Sequence, residues 1–310
     1  MGLSPDLFKR LSGLNRRLLR ESLATGRESP SPEGGGRCPG AGADPVVLEA
    51  LIPGEQREAF GGHFYLVRRP ADAVGRPRAN RAGEVPEGSG GDLPGRYRRV
   101  FFGAGLARSP DHLHEDIRPL ALADPAAVTY LDIETCGLAG EPLFLVGLLR
   151  YAEGTLLVEQ FLARDYSEEG PLLAAVWEQL AETACLVTFN GKAFDMPTVG
   201  ARSLACGLFD CPTVPEHVDL LFEARRRWKG LLPNCRLQTL EQMICGWHRA
   251  GDIPGGDIPA AYHEFVRACR ADDPARRTRG LRCLQTILHH NALDLLTMAD
   301  LSVRLLAGDA

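Results

Sequence analysis

Apolar residues set the rhythm of the chain from Val128 onward. "AVTYLDI", "LFLVGLLRY" and "TLLVEQFL" are three strand-like runs joined by short Gly-containing connections, which predicts antiparallel hairpins. "SEEGPLLAAVWEQLAET" then switches to an amphipathic helical pattern with an acidic start, and "ACLVTFN" reads as a buried strand. "MPTVGARSLACG" predicts a helix with Pro near its first turn and Gly at its end, and "HVDLLF" a further short strand. Helices are expected at roughly 237–245, 259–269 and 281–306. Three strands, then helix–strand–helix–strand, then helices describe an α/β fold, a mixed sheet covered on both faces.

Before Val128 the pattern is thinner. Leu3, Leu7, Leu11, Leu14 and Leu18 fall at helical spacing with basic residues between them, which fits a helix docking on its own protein or on a partner. Residues 25–44 are rich in Gly, Pro and Ser and read as a flexible linker. "HFYLVRR" is strand-like, and residues 75–97 read as loop. The expected organisation is an N-terminal region, 1–125, containing a short helix, linkers and a small strand-containing segment, followed by one domain, 126–307.

Composition narrows the class. The chain is 45% hydrophobic and 24% charged, as ordinary globular domains are. Its longest uninterrupted apolar run, 142–149, is far short of the roughly 20 residues a membrane span needs. No secretory signal is visible, so a cytoplasmic protein is expected. Nine cysteines without a C-x-x-C pair predict reduced, buried thiols and not a zinc site or a disulfide framework. Residues 1–125 carry 18 basic against 16 acidic groups, a net +2; residues 126–310 carry 17 against 24, a net −7. Overall charge therefore does not advertise a polyanion partner, though acidic metal sites lower the count locally.

Against that background, "YLDIET" places Asp132 and Glu134 two apart at the end of a buried strand, on one face. Two carboxylates that close repel each other, and a divalent cation held by hard oxygen donors is the simplest remedy. "LVTFNGKAFDMP" runs a second strand into the turn dipeptide Asn190-Gly191 and brings Asp195 to the start of the next helix. A helix-capping role for that Asp is the plain alternative. Third, "ILHHNALDLLTMADL" puts His290 four residues before Asp294, about 40° apart on a helix, whereas His289 lies about 140° away.

In this order the three motifs resemble those of the DEDD superfamily of metal-dependent 3′–5′ exonucleases, and more narrowly the YprB-type ribonuclease H-like family. "LVTFNGKAFDMP", "HVDLLFEARRRWKGLLPNCRLQTLE" and "DIPGGDIPAAYHEFVR" are similar to that family's text. The resemblance runs from about Leu48 to Leu305 and is dense from Val128. It implies a ribonuclease H-like mixed five-stranded sheet with helices on both faces. It also implies hydrolysis of phosphodiester bonds from the 3′ end of single-stranded DNA or RNA. Asp132, Glu134, Asp195 and Asp294 would hold two Mg²⁺ or Mn²⁺ ions, about 3.5–4 Å apart in such sites. His290 would be the general base; His289, at the spacing used by another branch of the superfamily, stays open.

Candidate substrate contacts are Asn190, Lys192, Arg226 and Arg236, the last two within a basic stretch around Trp228 that could stack a base or bury its indole. Two departures from the family pattern, a shortened turn after Gly137 and Cys136 in place of Thr, bear on substrate fit. The competing functions are a catalytically inactive nuclease-fold module that binds nucleic acid or protein, and a phosphoesterase acting on small nucleotides.

Overall fold

A chain that alternates buried and solvent-facing residues in pairs of short-looped strands builds a sheet outward from its most apolar strand. The computed structural model describes residues 45–74, 92–103, 110–137, 140–249 and 252–307. In it a helix α1 (Pro45–Leu51) precedes strands β1 (Glu55–Ala59) and β2 (Gly62–Pro70). Helices α2 (Leu93–Phe102) and α3 (Arg118–Leu122) follow, then β3 (Val128–Thr135), β4 (Leu143–Ala152) and β5 (Thr155–Leu162). The remainder is α4 (Glu169–Ala181), β6 (Cys185–Thr188), α5 (Asp195–Ala205), β7 (Glu216–Asp219), α6 (Leu220–Trp228), α7 (Leu237–Leu240), α8 (Ile258–Cys269) and α9 (Pro274–Ala307).

All seven strands join one sheet in the order β1-β2-β5-β4-β3-β6-β7. The β3–β4 and β4–β5 pairs are antiparallel hairpin partners, whereas β3–β6 and β6–β7 are parallel. The five expected strands are the middle and one edge of this sheet. The other two come from "EQREA" and "GHFYLVRRP", which extend the sheet antiparallel to β5. β1 is short and charged, which blunts the open edge against further pairing.

Two cores flank the sheet. Leu131 and Ile133 of β3 pack with Leu172, Leu173 and Val176 of α4. Val128 and Tyr130, on the opposite face of the same strand, pack with Leu295, Met298 and Ala299 of α9 and with Tyr97 of α2. The helix α9 is buried nearly all round between Ile287 and Leu306, as a helix enclosed by its own protein must be. It begins at Pro274 and not near 281, because Asp273 accepts from the Ala275 amide at 2.9 Å and Pro274 needs no donor in the first turn. Expected loop at 92–97 is instead the start of α2, capped by Asp92 on the Gly95 amide at 3.0 Å. The expected helix at 3–20, the linker at 25–44 and the loop at 75–91 lie outside the described residues.

Among the described residues no helix is long and apolar enough to cross a membrane. Eight cysteines there are free thiols.

Candidate active site

The carboxyl ends of β3 and β6, where parallel strands leave a crevice, carry the acidic residues. Asp132 and Glu134 alternate with buried Ile133, so both face the α9 side of the sheet. The pairing register shifts between Glu134 and Thr135, a bulge that ends β3 just past the acids. Across the sheet Asp132 is opposite Gly147, and Gly147 is opposite Gln160. Above this row lies Asn291 of α9. Its Nδ2 donates to Asp132 Oδ2 at 2.8 Å and to Asp132 O at 3.2 Å, while its Oδ1 accepts from Gln160 Nε2 at 2.8 Å. Glycine is required at 147, because a Cβ there would collide with the Asn291 amide.

The second acid is delivered by a tight turn. Asn190 adopts φ +67°, a left-handed conformation that Asn tolerates better than most residues, and a Cβ on Gly191 would run into Thr188. Asp219 fastens this turn, accepting from the amides of Asn190 at 2.7 Å and Lys192 at 3.1 Å, and it also caps α6 through Leu221 at 3.1 Å. Asp195 is not the cap of α5; that position is Phe194, which makes no side-chain cap bond. Asp195 is buried instead, next to the backbone of Ile133 in β3.

Asp132, Glu134, Asp195 and Asp294 lie within one another's electrostatic field. Burial first, then the charges of Asp294, Glu134 and Asp195, raise Asp132 well above the usual carboxylate range. Burial also raises Glu134 to about 8; His290 pulls it down, while Asp294 and Asp195 push it up. Asp195 is raised to about 7 by burial and by Asp219 and Asp294, against the lowering effect of its own and Ile133's amides. Yet Asp132 and Glu134 are only half-buried by surface area, so they lie at the floor of a recess and not in sealed core.

The fourth acid has a different environment. His290 Nε2 approaches Asp294 Oδ2 at 3.3 Å, and Arg249 Nη2 pairs with Asp294 Oδ1. Burial opposes ionisation of Asp294, but His290 and Arg249 outweigh it and hold its pKa below the ordinary value. Arg249 reaches on to Asp252 Oδ2 at 3.1 Å and Glu241 Oε2 at 2.8 Å, and Glu241 is steadied by Thr297 Oγ1 at 2.8 Å. His290 Nδ1 lies 2.9 and 3.0 Å from the two oxygens of Asp252. Burial disfavours the imidazolium, yet Asp252, Asp294 and Glu134 together raise the His290 pKa to about 11. The pKa of His289 is lowered, by burial first and then by Arg69.

The donor chemistry suits a hard divalent cation: carboxylate oxygens, an excess of negative charge and no soft ligand. Among the described residues no ion pair involves Asp132, Glu134 or Asp195. Nor, among those residues, are three or more His, Cys, Asp or Glu side chains drawn together closely enough to enclose an ion as they stand.

Of the expected substrate contacts, Asn190, Lys192, Arg226 and Arg236 are all exposed. Lys192 Nζ stands 5.6 Å from the ring of the exposed Phe222. Arg226 and Arg227 both pair with buried Glu223, and Trp228 is in the core, so the indole is not available to stack a base. Cys136 packs into the core on the far side, where burial pushes its thiol up to about 12. Asp252, Arg249, Glu241, Asn291, Asp219 and Phe222 were not singled out from sequence. Asp252 opens the family-like stretch "DIPGGDIPAAYHEFVR", which was the one available signal.

A profile of the RNase H superfamily matches residues 129–306, well over half of the chain and every element from β3 to α9. The chain belongs to the RNase H superfamily. It is also similar to the uncharacterized protein YprB of Bacillus subtilis (strain 168), with 35% identity over 182 residues, in keeping with the YprB-type resemblance. That match covers 57% of this chain and 41% of YprB, so the chain spans less than half the length of that relative. Among solved structures, a family B DNA polymerase from the hyperthermophilic archaeon Pyrobaculum calidifontis is similar at TM-score 0.44 and 19% identity, over 58% of this chain and 24% of the polymerase. The RNase H-like fold and the seven-stranded mixed sheet thus agree, and nucleases of this superfamily generally use divalent metals such as Mg²⁺.

Proposed function

We propose that this protein is a metal-dependent 3′–5′ exonuclease acting on single-stranded nucleic acid. One observation carries the reading: three mutually repelling carboxylates, Asp132, Glu134 and Asp195, gather without a paired cation beside a histidine. Elsewhere in the protein, buried Glu159, Glu169, Glu223 and Asp300 each have arginine partners. A fold that leaves three acids uncompensated in a recess supports a site for cations drawn from solution.

In this reading Asp132, Glu134, Asp195 and Asp294 hold two Mg²⁺ or Mn²⁺ ions. When bound, such ions stabilise the attacking and leaving oxygens of a phosphodiester undergoing in-line displacement. Asn291 fixes the Asp132 carboxylate from one side, and the Asn190–Gly191 turn, tied down by Asp219, fixes the entry of Asp195. His290 accepts the proton of the attacking water through Nε2. To do so it must be neutral, and positive charge among Glu134 and Asp294 opposes the field that now holds it protonated. Lys192, Arg226 and Arg236 neutralise phosphates, Asn190 contacts the substrate at its turn, and the ring of Phe222 beside Lys192 offers a face to an unpaired base.

A second reading, an inactive nuclease-fold module, draws on the engagement of Asp294 by both Arg249 and His290. End-labelled DNA and RNA oligonucleotides incubated with Mn²⁺ separate the two. Stepwise shortening from the 3′ end, abolished in Asp132→Ala, is expected; no shortening, or equal shortening by the variant, overturns the exonuclease reading.

A further inference from the structure

Asp252 has no place in the four-acid set, yet its carboxylate spends both oxygens on one histidine. His290 Nδ1 lies 2.9 Å from Oδ1 and 3.0 Å from Oδ2. The arrangement is braced from behind. Arg249 Nη1 holds Asp252 Oδ2 at 3.1 Å, Arg249 Nε is anchored on Glu241, and Glu241 is in turn held by Thr297, three residues after Asp294 on α9. Asp252 Oδ1 also accepts from the Ile253 amide at 2.9 Å, which sets the carboxylate's own orientation. Arg249 and His290 are almost wholly enclosed, with side chains 6% and 7% exposed, so water does not compete strongly for these bonds.

An ionised carboxylate can only accept. Nδ1 must therefore carry a proton toward Asp252, as Nε2 does toward Asp294 while the ring is charged, and the ring plane is fixed with Nε2 directed at Asp294 and the acidic recess. Helical spacing alone does not do this. The four-residue separation brings His290 and Asp294 to one face of α9 but leaves the ring free to turn about its side-chain bonds.

We propose that Asp252 is a positioning residue of the active site, which holds His290 in the Nδ1–H form with Nε2 facing the substrate, and that Arg249 locks this carboxylate to Asp294. The inference rests on the exonuclease reading for its catalytic consequence, but its geometric content stands apart from that. On proton transfer from water to Nε2, the Nδ1 proton stays with the ring and the resulting cation is shared between Asp252 and Asp294. The Asp252 carboxylate bonds His290, Arg249 and the Ile253 amide, and acts through the ring.

The test uses the full chain labelled with ¹⁵N-histidine, with the His290→Ala variant to assign the ring. In the metal-free protein the His290 Nδ1–H proton should resonate far downfield, as a proton shared with a carboxylate does, and Asp252→Ala should abolish that signal. Should Asp252→Ala not fold, the isosteric Asp252→Asn serves, because loss of the carboxylate alone moves the resonance upfield. With Mn²⁺ and an oligonucleotide, Asp252→Ala should lower kcat by roughly 100-fold, the scale of a misplaced general base, with KM and Mn²⁺ affinity changed less than about threefold. Added to His290→Ala it should cost nothing further, since both act through one ring. An unchanged resonance in the Asp252 variants, or an equal loss of kcat in both backgrounds, overturns the proposal. If the unaltered protein hydrolyses nothing, the exonuclease reading fails by itself, and the resonance still decides whether Asp252 positions His290.

Discussion

Glu159 and Asp132 stand on strands β5 and β3, on either side of β4, and meet burial in opposite ways. Glu159 lies between two arginines, bonded to Arg68 Nε at 2.9 Å and Arg150 Nε at 2.9 Å. Asp132 faces an amide, Asn291, and three further acids. The first is a carboxylate the fold has neutralised for itself. The second is one whose compensation must come from elsewhere. The sheet supplies counter-charge where the job is structural and withholds it at the carboxyl ends of β3 and β6.

Substitution at each position should therefore have opposite consequences. Asp132→Asn should abolish hydrolysis, by about 10³-fold or more if several kcal/mol of metal-assisted stabilisation are lost. At alkaline pH, where the cluster ionises, the same change should raise the melting temperature of the metal-free protein, because it removes one of the repelling charges. Both are read from oligonucleotide assays and thermal melts of one preparation. A metal-free protein that melts lower after the change would show that Asp132 is compensated within the fold, as Glu159 is.

Glu159→Gln should do the reverse. Leaving two arginines without their carboxylate should cost about 1–3 kcal/mol, since both are partly solvent-reachable. Hydrolysis per folded molecule and the response to Mn²⁺ should be unaltered. Chemical denaturation, monitored alongside activity, checks both halves.

The two carboxylate environments also differ in their response to pH. Glu134 and Asp195 are raised to about 8 and about 7, from ordinary values of 4.5 and 3.8. A raised carboxyl favours the native state in its protonated form, so that contribution is whole below those ordinary values and is lost as pH rises through 7 to 8. The metal-free protein should melt at progressively lower temperature between about pH 5 and pH 8.5, and saturating Mn²⁺ should flatten this slope. Gly147→Ala acts on Asp132 at one remove, because the added methyl would displace Asn291. About 1–3 kcal/mol of stability and a weakened hold on Asp132 are expected, seen by denaturation and by reduced Mn²⁺ affinity.

Much of this was legible in the sequence, and the misses have causes. Strand alternation around Asp132 and Glu134 and the i, i+4 relation of His290 and Asp294 are local geometry, so they could be read directly. The apolar density of β3 to β6 made the sheet's centre plain. The strand character of β2 showed in "HFYLVRR", but its place beside β5, and the charged edge strand β1 that docks on it, depend on tertiary pairing that no local pattern reports. Trp228 sits in a basic stretch, but its neighbours Arg226 and Arg227 turn to Glu223 while the indole turns inward; only tertiary packing decides that. Asp252, Arg249 and Glu241 act on residues some 40 to 55 positions away, through side-chain contacts with no periodic signature.

Whether the uncompensated acids form a site for divalent cations is decided by titrating Mn²⁺ into the metal-free protein at pH 8 while following its melting temperature. At a hundredfold excess over Kd, stabilisation of about 2.7 kcal/mol should raise the melting temperature by roughly 5–10 °C. Above Kd the rise should grow in proportion to the logarithm of the Mn²⁺ concentration, and it should be absent in the Asp132→Asn, Asp195→Asn double variant. A melting temperature that ignores Mn²⁺ in the unaltered protein, or the same rise in the double variant, would mean that these acids bind no cation.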